Sequence, residues 1–340
     1  MPTDLTTIPA PVRMMQLTTG SQVSQSVSVA AALGVADVLA GGPRAVDDIA
    51  DAVGADPGSL YRLLRVLGDV GVFEESDGRT FALTEVGELL CSDRPGTLRG
   101  WAVLVGSPFH RDAWTDLLAS VRTGEPAFDR VHGQLAFDFF RNHPDDQAVL
   151  DGAMTSISGL LIAAVVSCYD FSPFGTVVDV GGGHGALLAA VLTASPGARG
   201  VLFEQPHVAA AAGGPLDAAG VRDRCEIRGG DFFEAVPTGG DAYLLSNIVH
   251  DWGDDDAVQI LTRCREALGD HGRVLVTEDV LPSGLEPSQA KLIDLEMLVM
   301  GPGRQRTEEE YGRLFARAGL RLTRLVPCQG SLGVVEAVRA

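Results

Sequence analysis

Apolar positions keep helical spacing through the first half of this chain and switch to short β-type runs in the second. From Val12 to about Leu39 the spacing predicts a helix, broken near Gly20, with Val27, Ala31, Val35 and Val38 on one face. Gly41-Gly42-Pro43 stops it. A short helix over Asp47–Val53 and a second over Leu60–Val70 follow, the latter carrying Leu60, Leu63, Leu64 and Leu67 at helical spacing. Val72 to Leu83 then reads as a hairpin turning at Asp77-Gly78. Residues 1–12 are polar and proline-bearing, a loose arm. Leu98–Val166 reads as mostly helical, with Trp101, Phe109, Trp114, Phe128, Phe137, Phe139 and Phe140 as packing layer or as walls for a flat ligand.

After Phe174 the texture becomes strand, helix, strand. Predicted strands are Thr176–Val180, Gly200–Glu204, Cys225–Gly229, Asp241–Ser246 and Arg273–Thr277, with helical patterns between them. That alternation predicts an α/β fold, a doubly wound parallel sheet. A last helix over Thr307–Ala318 precedes Leu320–Val326 and Leu332–Val338, a hairpin added at the sheet edge.

The first of these strands ends in Asp179-Val180-Gly181-Gly182-Gly183-His184-Gly185 and opens into Ala186–Leu192. Glycines at a strand-to-helix turn let the backbone adopt positive φ and let a ligand lie against it. Gly181, Gly183 and Ala186 also satisfy a dinucleotide pattern, so the turn alone leaves the ligand open. Asp179 narrows it, because a carboxylate at the strand end repels a pyrophosphate and suits a cation. Glu204 ends the second strand about 20 residues further on, where an acid meets ribose hydroxyls in Rossmann-type folds. The third strand ends in Gly230-Asp231-Phe232-Phe233, an acid and aromatic faces suited to an adenine amine and ring. No Ser/Tyr/Lys set for hydride transfer stands out. An adenosyl ligand with a positive reacting end is the reading left.

His250 follows the fourth strand on the same side as the glycines, where an imidazole can take a proton from a hydroxyl. Glu278 ends the fifth strand, placed to hold the imidazole's tautomer and stabilise its charged form. Asp254-Asp255-Asp256 then open a helix, where acids complement its dipole.

Composition removes other classes. The net charge of −19 argues against nucleic-acid binding through phosphate neutralisation. The helix-turn-helix and hairpin of residues 46–90 have a winged-helix pattern, but Arg62 and Arg65 are the second helix's only basic residues, and Glu74, Glu75 and Asp77 crowd the hairpin. A dimerisation role is expected instead. The five cysteines are scattered with no C-x-x-C, as free thiols in a reducing compartment would be. No clustered ligand spacing points to a metal. No signal peptide is evident, and the longest apolar run, Leu160–Val166, is too short to span a bilayer. A soluble cytoplasmic protein is expected.

Taken together, Val178-Asp179-Val180-Gly181-Gly182-Gly183-His184-Gly185, Phe203-Glu204-Gln205-Pro206-His207, Gly230-Asp231-Phe232-Phe233, His250-Asp251-Trp252 and Glu278-Asp279-Val280-Leu281-Pro282 resemble the S-adenosylmethionine-dependent O-methyltransferases of the caffeate/hydroxyindole type, bacterial natural-product branch. With the helix-rich first half they cover nearly the whole chain in order. The resemblance implies a Rossmann-like methyltransferase sheet over residues 166–340, a winged-helix dimerisation domain over 1–95 and a helical substrate-pocket layer over 96–165. It implies a homodimer interlocked through the N-terminal helices.

The resemblance also implies roles. Asp179, Gly181, Gly183, Glu204, Asp231, Phe232 and Ser246 would hold S-adenosylmethionine, with S-adenosylhomocysteine as product and no metal. His250 would be the general base and Glu278 its partner. Met154, Asp251 and Met297 would meet the acceptor, a phenolic hydroxyl on a small aromatic or polyketide-like natural product of antibiotic or other secondary metabolism. N- or C-methylation on the same scaffold, a relative that keeps the cofactor without methylating, and a ligand-sensing regulator are the alternatives. Two positions depart from the family pattern. Gln305 stands where a second acid usually flanks the histidine, and Ser246 stands where plant members carry lysine. An amide stabilises an imidazolium less than a carboxylate does.

Overall fold

The computed structural model describes residues 8–340. Most of the expected N-terminal arm and the side chain of Phe137 lie outside the described set. The chain divides into two compact units interleaved in sequence, Met1–Asp112 with Phe137–Gly159, and Ala113–Ala136 with Leu160–Ala340.

In the first unit the helical stretch expected from Val12, with its break near Gly20, is three helices: Ala10–Thr18, Gly20–Leu33 and Val35–Leu39. The unforeseen second break falls at Gly34, left-handed at φ 72°, a conformation glycine adopts without penalty. Helices Val46–Val53 and Pro57–Asp69 follow. The second opens on Asp56, whose carboxylate accepts from Ser59 N–H at 2.8 Å, with Pro57 in its first turn. The hairpin Phe73–Ser76/Thr80–Leu83 forms as read. Arg44–Ala45 adds a third strand against Thr80 and Phe81, too short to leave an alternating pattern. Ile49, Leu60, Leu64, Leu67, Phe73 and Phe81 fill the core. Val12, Met14, Met15 and Leu17 of the first helix are exposed.

The second unit is built on a sheet whose main strands, labelled in chain order, are β1 Thr176–Val180, β2 Arg199–Glu204, β3 Cys225–Gly229, β4 Ala242–Ser246, β5 Arg273–Leu281, β6 Leu320–Pro327 and β7 Leu332–Arg339. Their order is β6-β7-β5-β4-β1-β2-β3. Strands β1 to β5 pair in parallel, and the terminal hairpin joins antiparallel through β7 against β5. The chain runs outward from β1 to β3 and returns to β4 on the other side of β1. That reversal opens a crevice at the carboxyl ends of β1 and β4. Val177, Val178, Leu244 and Leu275 are fully buried, as befits parallel strands covered on both faces. The helices used below are α1 Ala186–Ala194, α2 Asp254–Ala267, α3 Ala290–Met300 and α4 Glu308–Arg317. Helix α4 starts on a capping box in which Thr307 and Glu310 satisfy each other's backbone N–H groups.

Three expectations change here. Cys168 and Cys328, read as free thiols, form a disulfide with Cα atoms 5.3 Å apart. Their separation of 160 residues hid the pairing, since only the fold brings the helix end carrying Cys168 to the β6–β7 turn. Cys91, Cys225 and Cys264 are buried free thiols. The helix Pro144–Cys168, 25 residues long, is apolar and long enough to cross a membrane by length and composition. Its last turns hold Ala164 and Val165 in the core of the second unit. Finally, β5 runs four residues past the expected Thr277, to Leu281, because β7 pairs with Glu278 and Asp279.

Candidate active site

The crevice begins at the glycine turn after β1. Gly181, Gly183 and Gly185 lie at φ 72°, 55° and 88°. A Cβ on Gly181 would fall 2.5 Å from Ile248 Cδ1, and one on Gly182 would fall 2.4 Å from the Asp179 carboxylate. The turn is therefore drawn tightly over the end of its own strand. Its N–H groups tie it to the neighbouring strand: Gly181 donates to Phe203 O at 2.8 Å, and Gly183 donates to Glu204 Oε2 at 3.1 Å. Glu204 Oε1 accepts from Gln205 N–H at 2.7 Å. The acid read as the second strand's ligand is thus fixed in place against the first strand's turn.

Asp179 does not line the crevice. It is fully buried beneath Gly182, and neither carboxylate oxygen has a hydrogen-bond partner. Burial, with the charge of Glu204 adding to it, pushes its pKa up to about 7. A charge held dry and unpaired costs stability unless something positive sits nearby. The arrangement fits a ligand whose cationic end rests on the glycines, acting through charge across the turn.

This predicts a pH signature. In the unfolded chain the group titrates near 3.8, so its raised folded value means the native state prefers the protonated form. The associated stability is complete below pH 3.8 and is lost as pH rises to about 7, a total on the order of 4 kcal/mol. Asp179→Asn mimics the protonated acid. The ligand-free variant will therefore melt higher than the native chain, by a margin that grows from pH 5 to pH 8. A margin independent of pH would contradict the buried, unpaired carboxylate.

At the third strand end Asp231 is exposed and accepts from Phe233 N–H at 2.8 Å, an Asx turn. Phe232 and Phe233 pack edge-on against Trp252, with ring centroids 6.1 and 4.8 Å apart. An aromatic wall with an acid at its rim stands beside the glycine turn, since Phe232 Cε1 lies 3.7 Å from where a Gly181 Cβ would be.

His250 lies in a single 3-10 turn, Val249–Asp251, after β4. The backbone reaches it through Ser246 and Asn247, the latter at φ 52°, unusual outside glycine and marking a forced turn. The imidazole is 12% exposed. Its Nδ1 is 2.7 Å from Gln305 Nε2, and its Nε2 is 3.4 Å from Asp251 Oδ1. The Asp251 side chain is 40% exposed, and the desolvation it does feel raises its carboxyl above the ordinary range, opposed by His250 and reinforced by Glu278.

Glu278 requires a correction. It was expected at the imidazole, but it is fully buried in the extended β5 and accepts from the backbone N–H of His250 at 2.9 Å. Its other oxygen accepts from Tyr311 O–H. It therefore fixes the turn that carries the histidine, not the ring. Burial, then the charge of Glu278, raises the Tyr311 pKa well above its usual value, so the hydroxyl stays protonated and donating.

Gln305 stands at the histidine where the resemblance put it, and sequence reasoning missed Arg304 and Arg306, which complete this corner. Arg304 N–H donates to His250 O at 2.8 Å. Arg306 is 1% exposed and donates to the carbonyls of Val249 and Trp252 and to Asp254. Gln305 N–H donates to Asp294 Oδ1 of α3 at 2.8 Å. The capping box at Thr307 was the available signal that this segment has a fixed path. Met297 is partly buried on α3. The same helix carries Glu296, which accepts from Trp114 Nε1 at 2.7 Å. Met154 belongs to the first unit and is 43% exposed. Among the described residues, no group of three or more His, Cys, Asp or Glu side chains is arranged to hold a metal.

Residues 114–321 match the family model of the O-methyltransferase domain, and residues 15–93 that of the O-methyltransferase dimerisation domain. The phenazine O-methyltransferase PhzM of Lysobacter antibioticus is 44% identical over 330 residues, covering 97% of this chain and 96% of that one. The crystal structure of LaPhzM superposes with a TM-score of 0.91 at 43% identity, over 98% of this chain and 100% of that one. The O-methyltransferase NcsB1 from neocarzinostatin biosynthesis, solved with S-adenosylmethionine and 2-hydroxy-5-methyl naphthoic acid, is 36% identical with a TM-score of 0.78, over 93% and 96%.

Proposed function

The chain belongs to the O-methyltransferase family, and from that membership we propose that it methylates a phenolic hydroxyl of a small aromatic or polyketide-like natural product, with His250 as general base. S-adenosylmethionine is the donor. When bound it supplies an electrophilic methyl, so that the acceptor oxygen forms the new bond to carbon while sulfur keeps the pair of the bond that breaks.

The observation that carries this reading is the juxtaposition at one crevice of a glycine turn over a buried, unpaired Asp179 and an imidazole held by its backbone. The residues present fit the donor. Gly181 and Gly183 bring backbone close to its amino-acid end, and Asp179 favours positive charge there. Glu204 meets the ribose, Asp231 and Phe232 the adenine, and Ser246 ends β4 on the other side of β1. His250 takes the hydroxyl proton at Nε2, Glu278 keeps its turn in register, and Asp251 and Met297 meet the acceptor from either side. The exposed Val12, Met14, Met15 and Leu17 suit burial against a second copy, giving a homodimer through the dimerisation domain.

The test is to incubate the full chain with S-adenosylmethionine carrying a labelled methyl and 2-hydroxy-naphthoic acid probes, and to locate the label by mass spectrometry and NMR. Label on a phenolic oxygen is the expected result. No displaceable S-adenosylhomocysteine binding by calorimetry would end the reading.

A further inference from the structure

His250 meets no carboxylate at Nδ1. The group there is the amide of Gln305, 1% exposed, with Nε2 2.7 Å from the ring nitrogen and Oε1 without a partner. The side chain is held by a rigid backbone. Gln305 N–H is fixed by Asp294 of α3, and the preceding Arg304 N–H by the carbonyl of His250. The other charged groups around the histidine are engaged elsewhere. Glu278 of β5 takes the backbone N–H of His250 and the hydroxyl of Tyr311 on α4. Arg306 is bound to the carbonyls of Val249 and Trp252 and to the Asp254 carboxylate. Asp251 stands on the opposite side, 3.4 Å from Nε2, where the acceptor must also come.

Resting on the methyl-transfer reading, we infer that the neutral Gln305 amide, standing at Nδ1 where no carboxylate does, restricts the acceptor to acidic hydroxyls, those on electron-poor rings or conjugated to a carbonyl. An amide N–H donated to Nδ1 places the neutral ring's proton on Nε2, the nitrogen that would have to receive the acceptor's. For Nε2 to act as base, the amide must turn its oxygen to an Nδ1–H. The imidazolium formed then faces a neutral oxygen, whereas hydrogen bonds between charged partners are roughly twice as strong. An acidic hydroxyl lessens this cost. Its O–H bond breaks with less demand on the ring, the proton passing to Nε2 and the electron pair staying on oxygen to form the new bond to the methyl carbon. Gln305 is thus a positioning residue that sets specificity through the histidine.

The test compares the native chain with Gln305→Glu, both saturated with S-adenosylhomocysteine and labelled with ¹⁵N-histidine. The His250 resonances are identified by their absence in His250→Ala. The native neutral ring is expected to show an unprotonated Nδ1. Gln305→Glu should move the ring's titration upward by about one pH unit or more, a tenfold change in the protonation equilibrium. With 2-naphthol and a nitro-substituted, more acidic 2-naphthol as probes, the native chain should prefer the acidic one. Gln305→Glu should shift the ratio of kcat/KM toward 2-naphthol by about tenfold or more. An unmoved titration, or an unmoved ratio, overturns the inference. If neither naphthol is turned over, the titration decides alone. Failure of S-adenosylhomocysteine to bind the native chain would instead count against methyl transfer itself.

Discussion

Replacing His250 with alanine will lower methyl transfer by about 10²–10⁴-fold, the usual share of a positioned acid-base group, while S-adenosylhomocysteine binds as before. The separation of effects follows from where the groups sit. The features proposed to hold the donor are the glycine turn after β1, Glu204 and Asp231, each tied to its own backbone neighbours. None is hydrogen-bonded to the imidazole, whose partners are Gln305 and Asp251. Removing the ring leaves the backbone N–H of residue 250 with Glu278, so the turn keeps its anchor. The loss will appear in kcat, and it will be larger for a weakly acidic hydroxyl than for an acidic one. Rates on the two naphthol probes and calorimetry with S-adenosylhomocysteine check it. Unchanged turnover would remove His250 from the chemistry without removing the activity.

Gly303→Ala will cost about 10²-fold in turnover, with destabilisation of about 1–3 kcal/mol, although residue 303 touches neither donor nor acceptor in this reading. An added Cβ would fall 1.9 Å from the carbonyl oxygen of His250 and 2.7 Å from the carbonyl carbon of Asp251. Those atoms are backbone, and they are already committed: the His250 carbonyl accepts from Arg304, and Arg306 and Glu278 hold the turn on either side. The strain cannot be relieved by rotating a side chain, so the histidine turn or the Gln305 segment must move. A displacement of about 1 Å is enough for the stated loss. Melting temperature, S-adenosylhomocysteine affinity and kcat will separate these effects. The expected pattern is a modest drop in the first, little change in the second and a large drop in the third. Loss of donor binding together with rate would place the damage at the glycine turn instead.

Much of this architecture was legible from spacing. Each of β1 to β4 begins within one residue of the position read from the sequence. For β1, β2 and β4 the reason is that strands buried on both faces must be continuous apolar runs. The crevice was legible too, since consecutive βα units place their loops at one end of a parallel sheet. That rule gathers Gly181, Gly183, Glu204, Asp231 and His250 from positions scattered along the chain. The hairpin at Asp77-Gly78 was equally local.

What the sequence by itself determined is therefore the order of the elements, the sheet they form and the set of polar residues delivered to its carboxyl edge. Each of these depends on neighbours in the chain. The tertiary structure decided which of those residues meet. Only packing sinks Asp179 beneath Gly182 instead of leaving it in the crevice, and only the antiparallel pairing of β7 extends β5 and turns Glu278 to the backbone of His250. Only the long return from α3 brings Gln305 to Nδ1, and only the fold closes Cys168 on Cys328. Apart from the burial of Asp179, these contacts join residues 28 to 160 positions apart. No local periodicity encodes them, because they depend on how finished elements stack and not on how each element forms.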